Sequence, residues 1–241
     1  MEKTKESNVE RLRNGILDLI QELNLSLGDK LPTEKVMAER FQVSRPTLRE
    51  ALKLLEQDAV IDVHQGKGRF LAAGVALNIA RPITKFESAS DMVRSHGYKA
   101  KIHVLGFSTV PARSDIAREL NLTEDDPVIR VERLRFSGDQ PLIYSINWIP
   151  KFLFDRHNGN GVTWDDSIVT MLGEIEHRPV ASTACVQATM LPIEIAELHG
   201  LQDFGPALLI QEVCYTSNGE RVIFSQDYHR GSAFTFSFVR R

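Results

Sequence analysis

At 241 residues the chain is longer than a typical single domain, so two compact domains are the starting expectation. Hydrophobic residues at 42% and charged residues at 25% are ordinary for a globular protein and argue against disorder. A net charge of -3 excludes a nonspecific nucleic-acid coat, and residues 1–73, with 12 basic and 12 acidic side chains, are neutral as well. Any contact with DNA must therefore come from where the cations stand.

Val9, Leu12, Ile16, Leu19, Ile20 and Leu23 recur at three- and four-residue steps and predict a first helix. Gly28 to Pro32 interrupts the pattern, and Thr33 can cap a short second helix carrying Val36, Met37 and Phe41. Ser44 can cap a third helix that runs to about Gln57, with Pro46 in its first turn, where a missing N–H costs little. In that helix Leu48, Ala51, Leu52 and Leu55 form an apolar stripe, while Arg45, Arg49 and Lys53 follow one another along another face. Two short helices with a basic stripe on the second fit a helix-turn-helix, although a solvated amphipathic helix would look the same. The segment Val60 to Leu71 then reads as two short strands joined through Gly66 and Gly68, with Lys67 and Arg69 at the turn. Such a hairpin is either a plain β-turn or a wing whose glycines permit close approach and whose cations suit phosphate or a narrow minor groove.

In unbroken order, Gly28-Asp-Lys-Leu-Pro-Thr-Glu34, Phe41-Gln-Val-Ser-Arg-Pro-Thr-Leu-Arg-Glu-Ala-Leu52 and the Gly66-Lys67-Gly68 turn resemble the GntR signature over about seventy residues. The resemblance implies a winged helix-turn-helix that binds operator DNA. It assigns Arg45 and Arg49 to base edges or nearby phosphates, Ser44 and Thr47 to phosphates, and Gly66, Lys67 and Gly68 to a wing at the minor groove. Lys35 is a weaker candidate, and Glu34 is placed to orient one of the arginines. An arginine fork suits guanine because it donates to both O6 and N7.

Residues 74–83 read as a linker between a domain at 1–73 and a second at 84–241. In the second domain, helices are expected at Ser90–His96, Asp115–Leu120, Trp164–Ile175 and Ile193–His199. Strands are expected at Ile102–Val110, Pro127–Phe136, Leu142–Ile149, Val180–Met190, Leu208–Thr216, Val222–His229 and Phe234–Val239. Asn218-Gly219 is a strong hairpin signal, and the fold class is α+β with a mainly antiparallel sheet. This order, with Pro127 to Phe136 and Ser225-Gln-Asp-Tyr-His-Arg-Gly231, resembles the UTRA sensor domain of the HutC-type GntR branch and implies a chorismate-lyase-like fold.

Arg133 and Arg135 should share a strand face with Ile129 and Val131, where a buried guanidinium needs an anionic or acceptor partner, either from a ligand or from the protein. The UTRA resemblance implies a ligand: these positions match the pair that binds sugar-phosphate groups in related sensors. It also places Tyr228 and Arg230, which alternate onto one face, at the pocket. Ser88 and Ser90 precede a short helix and could hold an oxyanion, although capping alone explains them. Many relatives carry a glutamate where this chain has Ser145 and an acid where it has Ser232, which puts amino-sugar phosphate specificity in doubt. The expected partners are therefore near-palindromic operator DNA, a small anionic effector and a second copy of the chain.

The seven histidines are scattered without metal-ligand spacing, so no metal or cofactor is expected. Cys185 and Cys214 read as reduced core thiols, and no apolar run approaches the roughly 20 residues that span a bilayer, which suggests a cytoplasmic protein. No nucleophile motif or phosphate loop supports an enzyme. The alternatives are a catalytic chorismate-lyase-like module or a dimerisation module without ligand.

Overall fold

The computed structural model describes residues 8–72, 83, 86–155 and 164–236. They group into two compact units, one within Met1–Lys85 and Phe236–Arg241, the other within Phe86–Thr235. The expected linker at 74–83 and the boundary near Gly74 lie outside the described residues, Ile83 excepted.

In the first unit, α1 (Asn8–Glu22) turns Leu12, Ile16, Leu19 and Ile20 inward, as the three- and four-residue spacing requires. The hydroxyl of Thr33 accepts from the Val36 amide at 3.4 Å and starts α2 (Glu34–Phe41). That of Ser44 accepts from the Thr47 amide at 3.3 Å and starts α3 (Arg45–Gln57). Leu48, Ala51, Leu52 and Leu55 are wholly buried along α3, in one cluster with the α1 stripe and with Leu31, Met37, Val60, Ile61 and Leu71. Arg13, itself buried, ties α1 to Asp58 just past α3 through a 2.5 Å ion pair. Antiparallel β1 (Ile61–His64) and β2 (Gly68–Leu71) close the unit, paired from Ile61↔Leu71 to His64↔Gly68. Gly66 and Gly68 adopt φ of +75° and +114°, a backbone conformation that favours glycine.

The second unit is a six-stranded antiparallel sheet. Its strands are β3 (Lys101–Pro111), β4 (Pro127–Ser137), β5 (Gln140–Pro150), β6 (Ala181–Met190), β7 (Pro206–Tyr215) and β8 (Arg221–Arg230), in the order β3-β4-β5-β8-β7-β6. The β4–β5 and β7–β8 hairpins follow their Gly138 and Gly219 turns as expected, both glycines having positive φ. One face packs α5 (Ser114–Leu120), α7 (Ile193–Leu198) and Phe204 against Val128, Leu134, Tyr144, Leu209 and Phe224. The other packs α6 (Ile168–Glu174) and the 3-10 turn Lys151–Phe154 against Ile149, Cys214 and Ile223. The remaining helix, α4 (Ala89–Ser95), starts at a Ser88 cap.

Three expectations shift. Cys214 is buried as expected, but Cys185, on the β6 edge strand, is exposed rather than a core thiol. The helix expected over Trp164–Ile175 is Ile168–Glu174, because the Ser167 hydroxyl accepts from the Thr170 amide and sets the start late. The final strand expected at Phe234–Val239 is absent over Phe234–Phe236, where the Phe234 ring instead packs edge-on against His96 and His229. Its remainder, 237–239, lies outside the described residues.

Candidate DNA-binding and effector-binding sites

At the start of α3, Ser44, Arg45 and Arg49 are exposed and Thr47 is half-buried. The Ser44 and Thr47 hydroxyls lie 2.8 Å apart, so the cap orders both toward the same end of the helix. Lys35 is exposed on α2, and Gly66, Lys67 and Gly68 are exposed at the hairpin tip. Glu34 links these parts: one carboxylate oxygen accepts from Arg49 Nε at 2.9 Å and the other from Arg69 Nη1 at 2.5 Å. Burial alone would raise the Glu34 pKa, but the hydrogen bonds from the two arginines outweigh it and hold the carboxyl below its ordinary value. A carboxylate with two guanidiniums joins α2, α3 and the wing, and it fixes Arg49 on the outer face of the recognition helix. Arg69, whose role at the turn the sequence left open, is the residue that connects the wing to this arrangement.

In the second unit, Arg133 and Arg135 are 3% and 2% exposed on the face that carries α6. Arg133 donates from Nη1 to the Asp166 carbonyl at 2.8 Å and from Nη2 to Asn147 Oδ1 at 3.0 Å. Its Nε has no partner among the described residues. Arg135 donates from Nη1 to Ser145 Oγ at 2.8 Å and from Nε to Ser90 Oγ at 3.4 Å. Among the described residues no carboxylate comes within ion-pair distance of either guanidinium. Burial, then the charge of Arg135, pushes Arg133 down to about 9, and burial likewise lowers Arg135. Both remain protonated at neutral pH. These are two like charges, nearly removed from water, whose bonds go to neutral acceptors.

Both arginines line a hollow with Glu87, Ser88, Asn147, Ser167, Glu212, Ser225 and Asp227. Of the expected effector contacts, Ser88, Arg133 and Arg135 reach this hollow, while Ser90 and Ser145 brace Arg135. Ser88 also caps α4, accepting from the Asp91 amide at 3.1 Å. Tyr228 and Arg230 do not belong here. They share a face of β8 as alternation requires, but Asp227 pairs with Ser145, which sends Tyr228 to the opposite side, beside Tyr144 at 6.1 Å between ring centroids. Arg230 spends its donors on the Asp203 carbonyl at 2.7 Å, Ser232 at 3.2 Å and the Pro141 carbonyl at 3.5 Å.

Sequence reasoning missed Asn147, Ser225, Asp227, Glu212 and Ser167. A signal was present for three of them: Ser145 and Asn147 interrupt an apolar β5 at a two-residue step, and Ser225 and Asp227 do the same in β8. Period-2 polar pairs inside buried strands mark a polar face.

Burial raises the Glu212 carboxyl to about 7; a hydrogen bond from Ser182 opposes the shift and Asp227 adds to it. With a folded pKa above the unfolded one, the native state holds more protons between roughly pH 4.5 and 7. Stability contributed by this group is therefore present at the acid end and lost as pH rises through that window. Glu212→Gln is expected to be more stable than the wild type by roughly 1–3 kcal/mol at pH 8 and to lose this advantage by pH 5. Denaturant melts of both proteins at the two pH values test this, and parallel curves would place Glu212 in water.

Comparison with known proteins shows the family. The UTRA domain model matches residues 95–235, and the model for bacterial regulatory proteins of the gntR family matches residues 8–71. The chain is 28% identical to the HTH-type transcriptional regulator YurK of Bacillus subtilis, over 94% of this chain and 93% of that one. It is also 28% identical to the Mannosyl-D-glycerate transport/metabolism system repressor MngR of Escherichia coli, over 95% and 94%. Among solved structures, that of the possible transcriptional regulator YydK from Bacillus subtilis superposes with a TM-score of 0.72 at 23% identity, covering 97% of this chain and 99% of that one, and supports the fold. With one model on the helix-turn-helix unit and the other on more than half of the chain, this protein belongs to the GntR family of transcription regulators, in the HutC-type branch that couples a winged DNA-binding domain to a UTRA effector domain.

Proposed function

We propose that the protein represses transcription as a homodimer on a near-palindromic operator and that a small anionic metabolite, of the sugar-phosphate class, releases it by binding at Arg133 and Arg135. The observation that carries the effector reading is the pair of buried guanidiniums without a carboxylate in ion-pair reach. Buried charge of this kind is costly unless an anion meets it, and a phosphate accepts several such donors at once. Several relatives, including NagR of Bacillus subtilis and MngR of Escherichia coli, are named as repressors. The DNA contacts in this reading are Ser44, Arg45, Thr47 and Arg49 on α3, Lys35 on α2, and Gly66, Lys67 and Gly68 on the wing. The division into 1–73, a linker at 74–83 and 84–241 belongs to the same proposal, as does a place in the cytoplasm. Among the described residues no helix is long and apolar enough to cross a membrane.

Binding without turnover fits the chemistry of the hollow. The Cys214 thiol at its edge is pushed up by burial, which disfavours its nucleophilic form.

Calorimetry with a panel of sugar phosphates, on the wild type and on the Arg133→Ala, Arg135→Ala double variant, tests the effector site. Binding that vanishes in the double variant is expected, and undiminished affinity there would make the arginines structural. Coupling is reciprocal, so an operator duplex selected from a random pool should weaken an inducing ligand by the same factor by which the ligand weakens DNA. Equal ligand affinity with and without the duplex removes the inducer role.

The homodimer is supported by β6, a ten-residue edge strand without charge or proline, exposed on both faces. Such an edge invites pairing with a second chain. Sedimentation should give a dimer on a duplex with two half-sites, and a single bound monomer would refute the symmetric arrangement.

A further inference from the structure

The hollow that holds Arg133 has an acidic far side. Register fixes its layout: Arg133 of β4, Ser145 of β5 and Asp227 of β8 stand in one row across the sheet. The next row runs Val131, Asn147, Ser225 and then Glu212 of β7. With strands about 4.8 Å apart, the Asp227 backbone lies about 10 Å from that of Arg133, and Glu212 lies three strands, about 14 Å, from β4. Between the two ends the floor carries the short polar side chains of Asn147 and Ser225.

Asp227 is 7% exposed, and no hydrogen bond or ion pair among the described residues holds its carboxylate. It is too far from either guanidinium to form an ion pair, so it does not neutralise them by contact. Glu212 faces the same hollow without a cation beside it. The hollow is therefore lined by two guanidiniums, neither in ion-pair contact with a carboxylate among the described residues, and across the sheet by the carboxyls of Asp227 and Glu212, with Glu87 also on its wall. Paired as an internal network these groups would have closed on each other. They are held apart instead, at a span that one small molecule can bridge.

We propose that the effector is an ampholyte whose anionic group sits at Arg133 and Arg135 and whose protonated amine sits against Asp227 and Glu212. This rests on the reading of the hollow as the effector site. An amine suits this end better than a hydroxyl because a cation offsets the repulsion between the two carboxyls and favours their ionised forms. A purely anionic ligand meets the arginines but leaves Asp227 opposed to it.

Matched probes decide the matter: 4-aminobutyl phosphate against butyl phosphate, and 6-aminohexyl phosphate against hexyl phosphate, titrated calorimetrically into the full-length chain. At least one aminated probe is expected to bind ten times or more tighter than its amine-free partner. In Asp227→Asn with Glu212→Gln that advantage should fall to within about twofold while the amine-free probe binds at least as well as before. The single Asp227→Asn variant carries the same test, with a partial loss, should the double variant fail to show a cooperative melt. Equal affinity within both pairs in the wild type, with binding still lost in the Arg133→Ala, Arg135→Ala variant, overturns the ampholyte and leaves the anionic site standing. Failure of all four phosphates and of the sugar-phosphate panel removes the anionic site and this proposal with it.

Discussion

Arg135→Met is expected to weaken binding of the anionic effector roughly 10- to 150-fold while leaving the protein's stability nearly unchanged or higher. The two effects separate because the guanidinium is fully buried, which disfavours its charge more than the distant carboxylate of Asp227 favours it, and among the described residues no carboxylate is in ion-pair contact with it. Replacing a buried charge by an apolar chain of similar length is often neutral or stabilising. Against that gain stand two lost hydrogen bonds, to Ser145 and Ser90, whose hydroxyls would be left without this donor. Each unmet hydroxyl costs about 1–3 kcal/mol, whereas the relief of an unpaired buried charge is at least comparable, so the expected net change lies within about 1 kcal/mol of zero or on the stabilising side. Binding has no such compensation. A charge-assisted bond to phosphate contributes about 1.5–3 kcal/mol, so affinity should fall roughly 10- to 150-fold. Denaturant melts and calorimetry on the same preparation check both halves. A loss of several kcal/mol of stability would show that Arg135 holds the sheet together, and retained binding would show that it does not meet the ligand.

The DNA-binding unit was legible in the sequence because its determinants are local. Thr33, Ser44 and Pro46 lie within four residues of the helix starts they define, and Gly66 and Gly68 lie in the turn they permit. The second unit was legible to the level of strands and hairpins for the same reason. The effector pocket was legible only in part. Alternation says that Arg133 and Arg135 share one side of β4 and that Tyr228 and Arg230 share one side of β8, but it cannot say which sides of the sheet these are. That depends on the Ser145↔Asp227 pairing between strands some eighty residues apart in the chain. One step of register exchanges Tyr228 for Asp227, and with it a hydrogen-bonding phenol for a carboxylate. At that step the structure separates Tyr228 and Arg230 from the face that carries Arg133 and Arg135. Glu212 was harder still, since it stands alone in an apolar β7 and acquires meaning only when β8 brings Ser225 beside it. Glu34 lay closer to hand, yet its link to Arg69 joins residues 35 positions apart and needed the wing folded against α2.

Arg49→Ala is expected to weaken operator binding by about 1–3 kcal/mol and to relax the base preference at one position in each half-site. The argument turns on Glu34. An exposed arginine on a helix surface samples many rotamers and loses that freedom on binding, so a side chain already held in place loses less. Arg49 is held, with its Nε 2.9 Å from a carboxylate that is itself fixed by Arg69, whereas among the described residues Arg45 makes no ion pair. The bond through Nε leaves both terminal nitrogens of Arg49 free to reach a guanine edge as a fork. Glu34→Gln should then weaken binding too, although it removes a negative charge from the DNA-facing side and on Coulombic grounds alone would strengthen it. These opposed signs make the test sharp. With a duplex selected by the wild type, the double variant Glu34→Gln with Arg49→Ala should bind no worse than Arg49→Ala alone, because the carboxylate acts on specificity through that arginine. Additive losses in the cycle would mean that Glu34 acts through Arg69 and the wing instead, and tighter binding by Glu34→Gln would mean that it acts only as a misplaced negative charge.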